Sequence, residues 1–177
     1  MDARQVARAG VAVALLAVSA WVSIPFGPVP FTLQTMALAV LPAALDRGTA
    51  LLAVVCYVLL GGVGLPVFAG FAGGMGALAG PTGGFLWGFI LGMIAATTCM
   101  RALSARLSAF GRAILADAIM LLISYACGML QLMVVGSMGP MPALLVAVVP
   151  FIIPDALKLV FGARLGCTVA RATRSNR

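Results

Sequence analysis

The chain has 177 residues, 63% hydrophobic and 8% charged, with a net charge of +7. A soluble domain carries roughly 25% charged residues, so this composition is that of an integral membrane protein. There is no histidine, which removes the commonest general base and metal ligand. The basic residues fall in short clusters between apolar runs rather than on one face, so they signal membrane topology, and no nucleic-acid partner is expected.

Apolar runs of about 20 residues cross the roughly 30 Å of bilayer hydrocarbon. The first, about Val6–Pro25, begins beside Arg4 and Arg8. A cleaved signal peptide is disfavoured there, because the run continues past Val18-Ser19-Ala20 through Trp21 and Phe26. Ala3, Ala7, Gly10 and Ala14 recur at small-residue spacing that lets another helix approach closely. Packing within the bundle is the default for them; as an outward surface they form the candidate partner interface.

The second run, Phe31–Leu45, is short and begins irregularly around Pro28 and Pro30. Thr32, Gln34 and Thr35 place hydrogen-bonding groups at its outer start, as helix caps or as ligand contacts. Asp46 and Arg47 join it to the third run, Thr49–Leu65.

Gly61–Gly84 then carries ten glycines and no charged residue. A solvated linker would carry Ser, Lys or Glu. Glycine at this density, with Pro66 and Pro81, also breaks helical continuity. Irregular backbone at membrane depth is tolerated where protein covers it or where it lines a cavity, so this segment points to a small-molecule pocket. Its Gly74-x-Gly76-x-x-Ala79 matches the dinucleotide fingerprint only literally. No strand precedes it, and no acidic residue lies about twenty positions on.

The fourth run, Gly83–Met100, starts beside Trp87, which falls with Trp21 where an aromatic belt is the default. Arg101, Arg106 and Arg112 mark its junction with the fifth, about Gly111–Val135. Asp117 near the start of that run is expected to serve the helix dipole or to pair with Arg112.

The sixth run, Met141–Gly162, holds the sharpest pair, Asp155 and Lys158. Their i,i+3 spacing puts both on one helix face. Ionisable groups inside the bilayer are costly and face the bundle interior, where a carboxylate accepts N–H groups and an ammonium binds a carbonyl or carboxylate. The competing reading is an ion pair that only fixes helix packing, or a lysine that snorkels. Pro150 and Pro154 weaken the helix just before Asp155 and favour a cavity.

Arg164, Arg171, Arg174 and Arg177 close the chain, so every charged loop falls on one side and GPVP, the Gly-rich segment and GSMGP on the other. The positive-inside rule then makes both termini cytoplasmic. The expected architecture is an all-α membrane protein of six spans in one domain, residues 1–177. The four cysteines lie far apart and read as small apolar residues. There is no G-x-x-x-x-G-K-[ST], paired carboxylate or Ser/His/Asp set, so neither an enzyme nor a metal or other cofactor is expected.

GPVPFTLQT at Gly27–Thr35, GLPVF at Gly64–Phe68, GPTGGFLWGF at Gly80–Phe89 and VPFIIPDALK at Val149–Lys158 resemble motifs of the BioY family, with Tyr57, Tyr125 and Gly128 also in register. Pro154 stands where that family commonly has Gly. The resemblance implies a substrate-binding S component of an energy-coupling factor (ECF) biotin transporter in the bacterial cytoplasmic membrane. Its implied partners are biotin, the lipid bilayer, a transmembrane T protein and two ATPase subunits, which fits the missing P-loop. On that resemblance Asp155 accepts a ureido N–H, and Lys158 donates to the ureido carbonyl or balances Asp155. Thr32, Gln34, Thr82 and Gly83 add polar contacts; Phe68, Phe71, Phe85 and Trp87 supply apolar walls, and Phe68–Gly80 closes as a lid. The alternatives are an S component for another vitamin and a structural or chaperone subunit of the membrane.

Overall fold

A computed structural model describes residues 2–103 and 107–175; Arg106 and Arg177 of the charge map lie outside the described residues. The chain is mostly helical. Helix α1 spans Ala3–Trp21 and leads into a short antiparallel pair, β1 (Ser23–Ile24) and β2 (Phe31–Thr32). Helices α2 (Gln34–Ala44) and α3 (Arg47–Gly62) follow. A 3₁₀ turn (Ala69–Phe71) and α4 (Met75–Ala79) form the Gly-rich segment, followed by α5 (Gly83–Ala102) and α6 (Ala109–Val135). Helix α7 (Pro140–Ala147), a second 3₁₀ turn (Val149–Phe151) and α8 (Ile152–Ser175) complete the chain.

Among the described residues four stretches are long and apolar enough to cross a membrane: Ala3–Trp21, Gly83–Ala102, Ala109–Val135 and Pro140–Thr173; α2 and α3 are shorter apolar helices. Two expected spans differ in form. The run from Phe31 begins as extended backbone, and its helix starts only at Gln34. Pro28 and Pro30 lack the N–H that a helix needs, and the chain before a proline prefers extended conformations. The run from Met141 breaks into α7 and α8 around Val148 and Pro150, and α8 continues well past Gly162. Asp155 therefore sits in the first turn of a new helix, where a carboxylate suits the dipole.

Glycine fixes the tightest helix contact. A Cβ built on Gly88 would lie 2.6 Å from Ser124 Cα, and one on Gly92 would lie 2.8 Å from the Met120 carbonyl oxygen. Gly84 meets the Cys127 carbonyl in the same way. These glycines recur every fourth residue, so one face of α5 lies flush on α6.

The charged ends gather at one end of the bundle. Ala7 and Arg8 of α1 border a groove with Leu41, Ala44 and Leu45 and with Val169 and Thr173 of α8. Ala113 packs with Ala163 and Cys167 at the same end, against Ala43, Met100 and Phe110. The Arg164 guanidinium lies 4.8 Å from the Phe110 ring centroid. Asp46 caps α3 there, its carboxylate accepting the Thr49 N–H at 3.0 Å and the Thr49 hydroxyl at 2.8 Å. Partial burial opposes ionisation of Asp46, but these bonds outweigh it and hold its carboxyl below the usual range.

Asp117 does not take its expected place. It lies in the third turn of α6, beyond the reach of the N-terminal dipole, and is fully buried. Among the described residues neither of its oxygens has a hydrogen-bond partner, and Arg112 Nε is also without one. Five residues along a helix turn side chains to different faces, which accounts for the missing pair.

The small residues of α1 also point differently from the default. Ala3, Ala7, Gly10 and Ala14 are exposed, while Ala9, Ala12 and Leu16 form the buried face. A Cβ on Gly10 would meet nothing within 4 Å. Their stripe is therefore an outer surface of the bundle.

Candidate ligand-binding site

At the opposite end a cavity opens between the β1–β2 hairpin, the Gly-rich segment and the starts of α2, α5 and α8. Its polar end is built on α8. Asp155 is 3% exposed and Lys158 is 7% exposed, and they form an ion pair of 2.8 Å. Asp155 Oδ1 also accepts the Thr35 hydroxyl at 2.9 Å, and Oδ2 accepts the Tyr125 hydroxyl at 2.7 Å. Lys158 Nζ donates to the Thr32 carbonyl at 2.7 Å and lies 3.6 Å from the Phe31 ring centroid. The extended backbone of β2 makes that carbonyl available, because no helical N–H claims it.

Counting donors and acceptors shows what remains free. A carboxylate offers about four lone-pair sites and an ammonium three protons. Asp155 accepts three bonds and Lys158 gives two, so each keeps one position. Gln34 lines the same cavity and is buried, and its Nε2 has no partner among the described residues. An unpaired buried amide costs free energy unless something enters to accept from it. Asp155, Lys158 and Gln34 thus line one cavity, with a carboxylate, an ammonium and an amide at its polar end.

The walls are apolar. Phe68, Ala69, Ala72 and Ala77 come from the Gly-rich segment; Phe85, Leu86 and Phe89 from α5; Leu121 from α6; and Ala147 and Phe151 from the α7–α8 break. A few directed polar groups in apolar walls is the usual make-up of a small-molecule site.

Among the residues predicted from sequence, Asp155, Lys158, Thr32, Gln34, Thr82, Phe68 and Phe85 line the cavity. Phe71, Trp87 and Gly83 lie outside it. Phe71 has φ 59° beside Gly70 at 67°, which turns its ring outward onto Trp21 at 5.2 Å between centroids. Trp87 follows the lining Phe85 and Leu86 but points outward, 44% exposed. Gly83 is packed against the Leu78 carbonyl and Gln131. Thr35, read as a cap or a ligand contact, also lines the cavity, and Tyr125, Ser124, Phe89 and Phe151 complete the site without having been assigned to it. A tyrosine in mid-span was the available signal, since its hydroxyl needs a partner when buried.

Apolar helices closing over a cavity with a buried ion pair define a multi-pass membrane protein with a ligand-sized site. The chain belongs to the BioY family, whose model matches residues 1–175. It is 34% identical over 158 residues to a probable biotin transporter BioY of Pyrococcus horikoshii, covering 89% of this chain and 91% of that one. It is 56% identical over 89 residues to the biotin transporter BioY of Thermotoga maritima, an alignment spanning 50% of this chain and 53% of that relative. Its fold superposes with a TM-score of 0.86 on the crystal structure of the S component for biotin from an ECF-type ABC transporter, at 20% identity and over 98% of this chain and 95% of the other.

Proposed function

We propose that this chain captures biotin as the S component of an ECF-type transporter, a transport protein rather than an enzyme. In this reading α1, α2, α3, α5, α6 and the α7–α8 stretch are six spans of one domain. Both termini are cytoplasmic, and the cavity opens outward in a bacterial cytoplasmic membrane. The clustering of Arg8, Arg47, Arg101, Arg112 and Arg171 toward the other end of the helices supports that orientation.

The observation that carries the reading is the buried Asp155–Lys158 pair lining an otherwise apolar cavity together with the Gln34 amide. Biotin's ureido ring presents N–H donors and one carbonyl acceptor, the complement of that set. Asp155 takes a ureido N–H and Gln34 gives to the ureido carbonyl. Lys158 balances Asp155 and offers its remaining proton, and Thr82 adds a further bond. Phe68, Phe85, Phe89 and Phe151 enclose the thioether ring. Phe71 and Trp87 have no part in it.

Uptake of labelled biotin in cells that lack their own biotin uptake tests the substrate. Unlabelled biotin is expected to abolish the signal, and thiamine or riboflavin to leave it. Competition by either of those vitamins would reassign the chain to another S component. Absence of any saturable signal, in uptake and in binding, would favour a structural subunit.

The exposed stripe Ala3, Ala7, Gly10 and Ala14 is the proposed face for a T protein, which with two ATPase subunits drives release inward. Gly10→Leu adds bulk where nothing lies within 4 Å, so the expected result is unchanged biotin binding with loss of T-protein-dependent uptake. Unchanged uptake in cells that supply the T protein and ATPases would place the partner elsewhere.

A further inference from the structure

The Gly-rich segment packs on the scaffold through Phe68, Phe71 and Leu78, and three scaffold side chains also donate to its backbone. Trp21 Nε1 gives to the Pro66 carbonyl at 2.7 Å, and the Tyr57 hydroxyl gives to the Val67 carbonyl at 3.0 Å. Gln131 on α6 gives both hydrogens of its amide, to the Leu78 carbonyl at 2.8 Å and the Gly80 carbonyl at 2.6 Å. Those two carbonyls end α4, where a helix leaves its last C=O groups without internal partners.

The three contacts are not equivalent. Trp21 and Tyr57 hold the segment where it leaves α3. Gln131 holds its far side, and between them lie Phe68, Ala69, Ala72 and Ala77, which cover the cavity. Gly83 and Gly84 let Gln131 reach that point, because a Cβ on Gly83 would fall 2.6 Å from Gln131 Nε2 and one on Gly84 would fall 2.7 Å from Gln131 Cβ. Gln131 does not line the cavity, so it acts on the ligand only through the segment it fastens.

We propose that Gln131 is a positioning residue that latches the Gly-rich segment shut and so sets the lifetime of the bound ligand. The latch needs no particular side chain on the lid, because both of its acceptors are backbone carbonyls. The scaffold thereby adds directed hydrogen bonds to a segment whose own contacts are apolar. The inference rests on the biotin reading for its ligand, but not for its geometry.

The test uses the full-length purified protein, with Gln131→Leu to remove both donors at similar bulk. Labelled biotin is expected to dissociate about five- to a hundredfold faster, the effect of losing two neutral hydrogen bonds, with an association rate no slower than wild type. A second readout introduces Ala77→Cys after replacing Cys56, Cys99, Cys127 and Cys167. Thiol labelling at that position in ligand-free protein is expected to speed up when Gln131→Leu is added, while the thermal midpoint stays near wild type.

A merely structural role would lower the thermal midpoint without separating the two rates. If Gln131→Leu fails to fold, Gln131→Glu, which presents an acceptor to the same carbonyls when ionised, carries the same expectations. Dissociation within twofold of wild type, with Ala77→Cys labelling unchanged, would overturn the latch. Loss of biotin binding in the wild type itself would overturn the ligand assignment, while the labelling comparison would still decide the latch.

Discussion

Asp155→Asn is expected to weaken biotin binding by roughly 2–5 kcal/mol, the usual cost of truncating one partner of a buried hydrogen-bonded charge pair. That corresponds to a loss of about thirtyfold to a few thousandfold in affinity. The amide keeps the size of the side chain but no longer compensates the Lys158 ammonium, and its NH2 turns a donor toward either the Thr35 or the Tyr125 hydroxyl. Lys158→Met is expected to fall in the same range, because it leaves the Asp155 carboxylate buried without its cation.

The double variant separates grip from packing. Replacing both members of a buried pair by neutral groups often restores stability. Asp155→Asn with Lys158→Met should therefore regain much of the thermal stability that either single change loses, yet still fail to bind biotin. Recovery of binding together with stability would mean that the pair only fixes α8 against α2 and α6. Affinity by titration and the thermal midpoint, measured on the same preparations, give both numbers.

A side chain at Gly88 is expected to disrupt folding. Any side chain there runs into Ser124 backbone rather than into a flexible tip. Overpacking costs about 1–3 kcal/mol even where side chains can move aside. Gly88→Leu should therefore reduce the yield of monodisperse protein and lower its thermal midpoint sharply. Gly10→Ala is the control. With nothing nearby and a helical backbone, it should raise stability by up to about 1 kcal/mol. Equal behaviour of the two variants would show that α5 and α6 do not meet at Gly88.

What could be read from the sequence follows from which forces act locally. Hydropathy marks α1, α3, α5 and α6 because each must satisfy its own backbone in lipid, and the spacing of Asp155 and Lys158 marks one face of α8. Pro150 and Pro154 signalled a weakened helix, but not that α7 and α8 are separate helices with Asp155 in a new first turn. Phe71 and Trp87, expected as wall residues, point away from the cavity because side-chain direction inside a loop or around a helix depends on turns that composition does not specify. Gln131 carried no signal, since its partners are backbone carbonyls 51 and 53 residues away. Asp117 looked ordinary near a helix start, and only the fold reveals that its carboxyl is fully buried.

In the proposed function this chain by itself holds biotin in the cavity floored by Asp155, Lys158 and Gln34. Titration of the purified protein, free of any T protein or ATPase, with labelled biotin is the decisive measurement. Saturable binding at one site per chain is expected, displaced by unlabelled biotin and lost in Asp155→Asn. No saturable binding by a folded wild-type protein, or full affinity retained in both Asp155→Asn and Lys158→Met, would contradict it.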